Sequence, residues 1–83
     1  MRKRKLKCMQ IYNESKEILY WYLKKNCPWL SDKDIHDVMI VAWEQLAENV
    51  DEVYKLGQKE SRVAWVLFVA DKQAKKLKGK EDE

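Results

Sequence analysis

Five lysines, Lys72, Lys75, Lys76, Lys78 and Lys80, crowd one stretch of an 83-residue chain. Ammonium groups at that density can neutralise phosphates and release counterions. They also suit the solvated C-terminal part of a helix, where cations complement the dipole. A second charged row has the opposite sign. Asp32, Asp34, Asp37, Glu44 and Glu48 fall on the polar side of one helical pattern, either facing water or docking on a basic partner. Four tryptophans and four tyrosines supply rings on which unpaired bases could stack. Trp43 and Trp65 lie on apolar stripes and are expected in the core. Tyr20, Trp21 and Tyr22 are consecutive, so they radiate around a helix, with Trp21 the ring expected to face outward, packed on Trp29 or forming part of a binding surface.

Catalytic patterns are missing. His36 and Asp37 are neighbours, and adjacent helix positions point about 100° apart, so they form no dyad. There is no Gly-rich phosphate loop, no HExxH and no paired-acid motif. Cys8 and Cys27 are not a CxxC pair, and the single histidine has no companion ligand. No enzyme activity, cofactor or metal is expected.

A chain this short buries only about 60–65% of its unfolded surface, so it forms one domain around one core. Two glycines, one proline and no alternating stretch predict an all-α protein. Charge is unevenly spread. Residues 1–30 hold eight basic and two acidic side chains, net +6; residues 31–60 hold three and eight, net −5. Residues 61–83 hold six and four, net +2. This layout suits one acidic contact face between basic ends. The first seven residues are followed by no apolar signal region, and the longest apolar run, Val63 to Ala70, is far below the ~20 residues of a membrane span. The reading is therefore cytoplasmic, with reduced thiols.

The elements follow from period and punctuation. Residues 1–7 read as a frayed basic arm, 8–78 as the helical domain and 79–83 as a disordered charged tail. A first helix from Cys8 to Asn26 places Ile11, Ser15, Ile18 and Tyr22 beside Leu19 and Leu23, and ends before Pro28. Ser31 and Asp34 form a capping box for a second helix. Its stripe is Ile35, Val38, Met39, Ala42, Trp43 and Leu46, with Ile40 and Val41 off it. Val50, Val53 and Tyr54 extend that helix or form a short one ending near Gly57. Ser61 is expected to cap the last helix, which runs to about Lys78 and is buried nearly all round in its first half. Its stripes are Val63, Val66, Leu67, Ala70, Ala74 and Leu77, and Trp65, Phe68 and Val69. The fold class is an all-α bundle of three or four helices.

Two segments resemble region 2 of bacterial RNA polymerase sigma factors, especially the extracytoplasmic-function type. SDKDIHDVMIVAWEQL, residues 31–46, is similar to a family helix in which Asp37 matches an acidic residue, His36 a glutamine and Trp43 a tryptophan. SRVAWVLFVADKQAKKLK, residues 61–78, is similar to the helix containing Ala-Trp-Leu and Ile-Ala, matched by Ala64-Trp65-Val66 and Val69-Ala70. The resemblance covers about residues 11–78.

It implies a transcription-initiation domain whose partners are the RNA polymerase core, through the β′ clamp helices, and −10 promoter DNA. An anti-sigma factor is a further partner of such domains. Carried over, Asp34, His36, Asp37, Glu44 and Gln45 would lie near the polymerase, and Lys72, Lys75 and Lys76 would face DNA. Residues 49–60 stand where the family captures a flipped base, making Tyr54 and Lys55 the base and phosphate contacts. The sequence also departs from the pattern. Asp34 replaces an apolar residue, Lys33 an acidic one, and Asp71-Lys72 the family's Arg-Asn, setting a negative charge where DNA would approach. The chain stops where a linker and the −35-reading domain would begin, so it reads as an excised domain or a complete small protein. The alternative is a sigma-like interaction module that does not read DNA. A third reading is a bundle that self-associates through Trp21, Trp29, Ile40 and Val41.

Overall fold

The computed structural model describes the backbone of residues 2–81 and the side chains of residues 5–78. Four helices follow one another: α1 Arg2–Asn26, α2 Asp32–Glu48, α3 Val50–Tyr54 and α4 Lys59–Glu81. Among the described residues there is no strand, and the all-α bundle stands as expected.

α1 starts earlier than its apolar period suggests. Residues 2–7 continue the helix rather than precede it as an arm. Its buried line is Ile11, Ser15, Leu19 and Leu23, at intervals of four. Ser15 is tolerated there because its hydroxyl donates to the Ile11 carbonyl at 2.7 Å. Ile18, expected inward, is 45% exposed, one row round from the buried line.

Pro28 ends α1, and the capping box starts α2. The Ser31 hydroxyl accepts from the Asp34 N–H at 3.2 Å, and the Asp34 carboxylate accepts from the Ser31 N–H at 3.3 Å. Ile35, Val38, Ala42 and Leu46 are buried, with Met39 and Trp43 packed beside them. Trp43 and Trp65 are both half-buried against the core rather than enclosed by it.

Val50 and Val53 anchor the five-residue α3 in the core. The chain then reverses at Gly57, whose φ of +78° is left-handed and suits a residue without Cβ. α4 begins at Lys59, so Ser61 sits inside the first turn and is not the cap. The helix runs on through residues 79–81, in place of the disorder expected there; Asp82 and Glu83 lie outside the described residues.

Val63, Val66, Ala70 and Ala74 face the core, but Ala64 is exposed and Phe68 is 62% exposed. The first half of α4 is therefore buried on one side only. Val63 to Ala70 is eight residues, just over two turns, so its apolar side chains reach every side of the helix while the core covers one.

Polar cross-links set how the helices lie. The Arg62 Nε–H and Nη2–H donate to the two Glu14 carboxylate oxygens at 3.2 and 2.8 Å. Eight residues further along α1, the Tyr22 hydroxyl donates to Asp71 at 3.2 Å. Later residues of α1 thus meet later residues of α4, and the two helices run in the same direction. Tyr12 against Trp43 at 4.1 Å, with Lys24 3.8 Å from Asp32, shows that α2 runs against α1. Trp29, in the α1–α2 connection, donates its Nε1–H to the Ala74 carbonyl at 2.9 Å.

Candidate nucleic-acid interface

α2 and α4 border a surface cleft of about 160 Å³ lined by Val41, Gln45, Phe68, Val69, Lys72, Gln73 and Lys76. Helical spacing assembles it. Val41 and Gln45 are four apart on the flank of α2 that adjoins α4. Phe68, Lys72 and Lys76 form one row of α4, and Val69 and Gln73 the next. Three apolar side chains, two ammonium groups and two amides line it.

Asp71, beside this row, points away from it. Its carboxylate accepts from Tyr22 on α1 and pairs with Lys75 at 3.0 Å on its own helix. Burial, reinforced by the Asp71 charge, holds the Tyr22 hydroxyl above its ordinary pKa. The Asp71 hydrogen bond raises Lys75. The acid is thus occupied by two partners on the α1 side.

The lysines separate accordingly. Lys75 is committed to Asp71. Lys78 lies 4.9 Å from the Trp29 ring. Lys72 and Lys76 have no acid within ion-pair range among the described residues, and Lys72 lies 5.3 Å from the Phe68 ring. The side chain of Lys80 lies outside the described residues.

Tyr54 and Lys55 stand elsewhere. Tyr54 is half-buried, with Lys7 and Arg62 at 4.9 and 5.8 Å from its ring. It sits beside Arg62, ten residues and roughly 15 Å along α4 from Lys72. Lys55 is exposed at the end of α3. The five residues expected at DNA therefore form no single cluster.

The α2 set divides too. Asp34 is held in the capping box. His36, Asp37 and Glu44 are exposed, and Asp37, Ile40 and Glu44 recur on the pole opposite the buried stripe. Gln45, grouped by sequence with the polymerase contacts, instead lines the cleft with Lys72 and Lys76.

Three features escaped sequence reasoning: the Arg62–Glu14 pair, the Tyr22–Asp71 bond and the outward Phe68. Phe68 carried a signal, since an apolar run longer than one stripe must turn some residue outward. Of the other rings, Trp21 is 65% exposed as expected, in edge contact with Tyr20 at 5.4 Å. Among the described residues, no helix is long and apolar enough to cross a membrane. No protein-family model matches the chain, and no curated protein or solved structure matches it.

Proposed function

We propose that this chain is a sigma-factor-like transcription-initiation domain. It docks on the β′ clamp helices of RNA polymerase through His36, Asp37 and Glu44 on the outer pole of α2. It engages −10 promoter DNA through Lys72 and Lys76 of α4. The support is the resemblance in residues 31–46 and 61–78, together with two exposed charged surfaces of opposite sign on adjacent helices. The observation that carries the DNA half is the inward engagement of Asp71 by Tyr22 and Lys75, which leaves Lys72 and Lys76 without an acid partner among the described residues. Phosphate contacts from those lysines supply affinity, and base contacts supply sequence choice.

The test is binding to single-stranded −10-type DNA and to an isolated β′ clamp-helix fragment, each across a salt series. A working domain binds both, and its DNA affinity falls steeply with salt. The second reading, an interaction module that reads no DNA, is favoured by Ile40, which is 53% exposed between Asp37 and Glu44. It predicts clamp-helix binding with no salt-dependent DNA affinity.

A further inference from the structure

We propose that the groove between α1 and α4 docks a second copy of this chain, antiparallel, so that Ile18 and Leu67 of the two copies form one apolar cluster. The inference stands apart from the DNA reading and uses none of the residues assigned to polymerase or DNA.

The groove, about 370 Å³, is lined by Ile18 of α1 and by Lys59, Glu60, Val63, Ala64 and Leu67 of α4. Four of these six residues are apolar. Ile18 is 45% exposed, Ala64 is exposed, and Trp21, one turn past Ile18, is 65% exposed. Apolar side chains left in water on two adjacent helices mark a face that a partner would cover.

Charge and register identify the occupant. α1 and α4 run in the same direction and are tied by Glu14 to Arg62 and by Tyr22 to Asp71. Ile18 lies midway between Glu14 and Tyr22, and Leu67 midway between Arg62 and Asp71, so the two stand level. Glu60 falls seven residues before Leu67 on the same row of α4, and Lys25 seven after Ile18 on the same row of α1. Each charge thus stands roughly 10 Å from the groove centre, the acid towards the start of the helices and the base towards their end. A copy turned end for end about a two-fold axis sets Glu60 of each chain level with Lys25 of the other. The contact is the same patch on both copies and closes as a dimer, two ion pairs flanking one apolar cluster. Both residues are exposed, and neither forms an ion pair among the described residues. A parallel copy would instead bring like charges level.

The self-association expected from the sequence grouped Trp21, Trp29, Ile40 and Val41, which the fold sets on different faces. Trp29 is half-buried and hydrogen-bonded to the Ala74 carbonyl, Ile40 lies on the outer pole of α2, and Val41 lines the α2–α4 cleft. Of the four, Trp21 stands beside the groove.

The experiment is sedimentation equilibrium over a concentration series. It compares the parent, Lys25→Glu, Glu60→Lys, the double reversal Lys25→Glu/Glu60→Lys, and Ala64→Arg. Every substituted position is exposed, so dilute samples should melt with the parent. The proposal expects a parent dimer, about tenfold weaker self-association for each single reversal, and recovery in the double reversal. An equimolar mixture of the two single variants should associate more tightly than either alone, because one chain then offers two acids and the other two bases. Ala64→Arg, which fills the groove with a charge, should leave a monomer. A parent that stays monomeric up to about 1 mM overturns the second copy as occupant. A dimer indifferent to both single reversals and to Ala64→Arg uses another face and overturns it equally. Single reversals that weaken the dimer with no recovery in the double reversal overturn the antiparallel register.

Discussion

The Tyr22 hydroxyl hydrogen-bonds the Asp71 carboxylate at 3.2 Å, joining α1 to α4 across 49 residues of sequence. In the sequence Asp71 looks like an obstacle to DNA. In the fold its charge is shared by Tyr22 and Lys75, on the side of α4 turned towards α1. Asp71→Asn should therefore change single-strand affinity by less than about threefold. Tyr22→Phe should lower stability by about 1 kcal/mol, the net worth of a hydrogen bond to a charged group that keeps some access to water. A tenfold gain in DNA affinity for Asp71→Asn would show instead that the carboxylate opposes DNA.

Glu14 and Arg62 form the most enclosed ion pair among the described residues, with side chains 17% and 11% exposed. Two-point geometry and low exposure make the pair costly to break from one side, since the remaining charge is left unpaired. Glu14→Ala should cost about 2–3 kcal/mol in urea unfolding. A cost under about 0.5 kcal/mol would mean that water solvates Arg62 as soon as Glu14 is gone.

Trp43 packs on Tyr12 at 4.1 Å, and Trp65 lies against the core. Both are half-buried, so truncation removes part of a large apolar surface. Trp43→Ala and Trp65→Ala should each cost about 2–4 kcal/mol. Trp21→Ala should leave the melt unchanged, since that ring is 65% exposed. Equal melts for all three variants would contradict the core assignment.

Alkaline pH should destabilise the fold. Burial raises the Cys27 and Cys8 thiols above 9.0, and burial with the Asp71 charge raises Tyr22 above 10.0. Each group binds its proton more tightly folded than unfolded. Their contribution is thus complete below the unfolded pKa values and is lost as pH rises through the folded ones. Urea midpoints should be flat up to about pH 8.5 and fall from about pH 9 upward. The Cys27→Ala/Tyr22→Phe protein should show a shallower fall. A midpoint that rises over that range has the wrong sign for thiols and a phenol that hold their protons more tightly in the fold.

Much of the frame was legible in the sequence. Ser31, Asp34 and Pro28 are local punctuation, and local punctuation survives folding. The stripe of α2 was legible because one amphipathic face meets one core. α1 and α4 were read less well at their ends. Helical phase there depends on neighbours distant in sequence, which is why Ile18 and Phe68 face outward and Ser61 caps nothing. The candidate site was legible only as types of charge. Which lysines are free is decided by Asp71 and Trp29, and both take partners 45 to 49 residues away.

On the proposed reading Lys72 and Lys76, and not Lys75, meet a nucleic-acid strand. The most direct test is the salt dependence of single-stranded DNA binding by the parent, Lys72→Gln/Lys76→Gln and Lys75→Gln proteins. Removing one lysine–phosphate interaction should lower the slope of log K against log salt by about 0.7 for a single strand. The expected slope is about 1.4 units shallower for the double variant and within error of the parent for Lys75→Gln. Identical slopes for parent and double variant, or no DNA binding by the parent, would contradict the assignment of these two lysines.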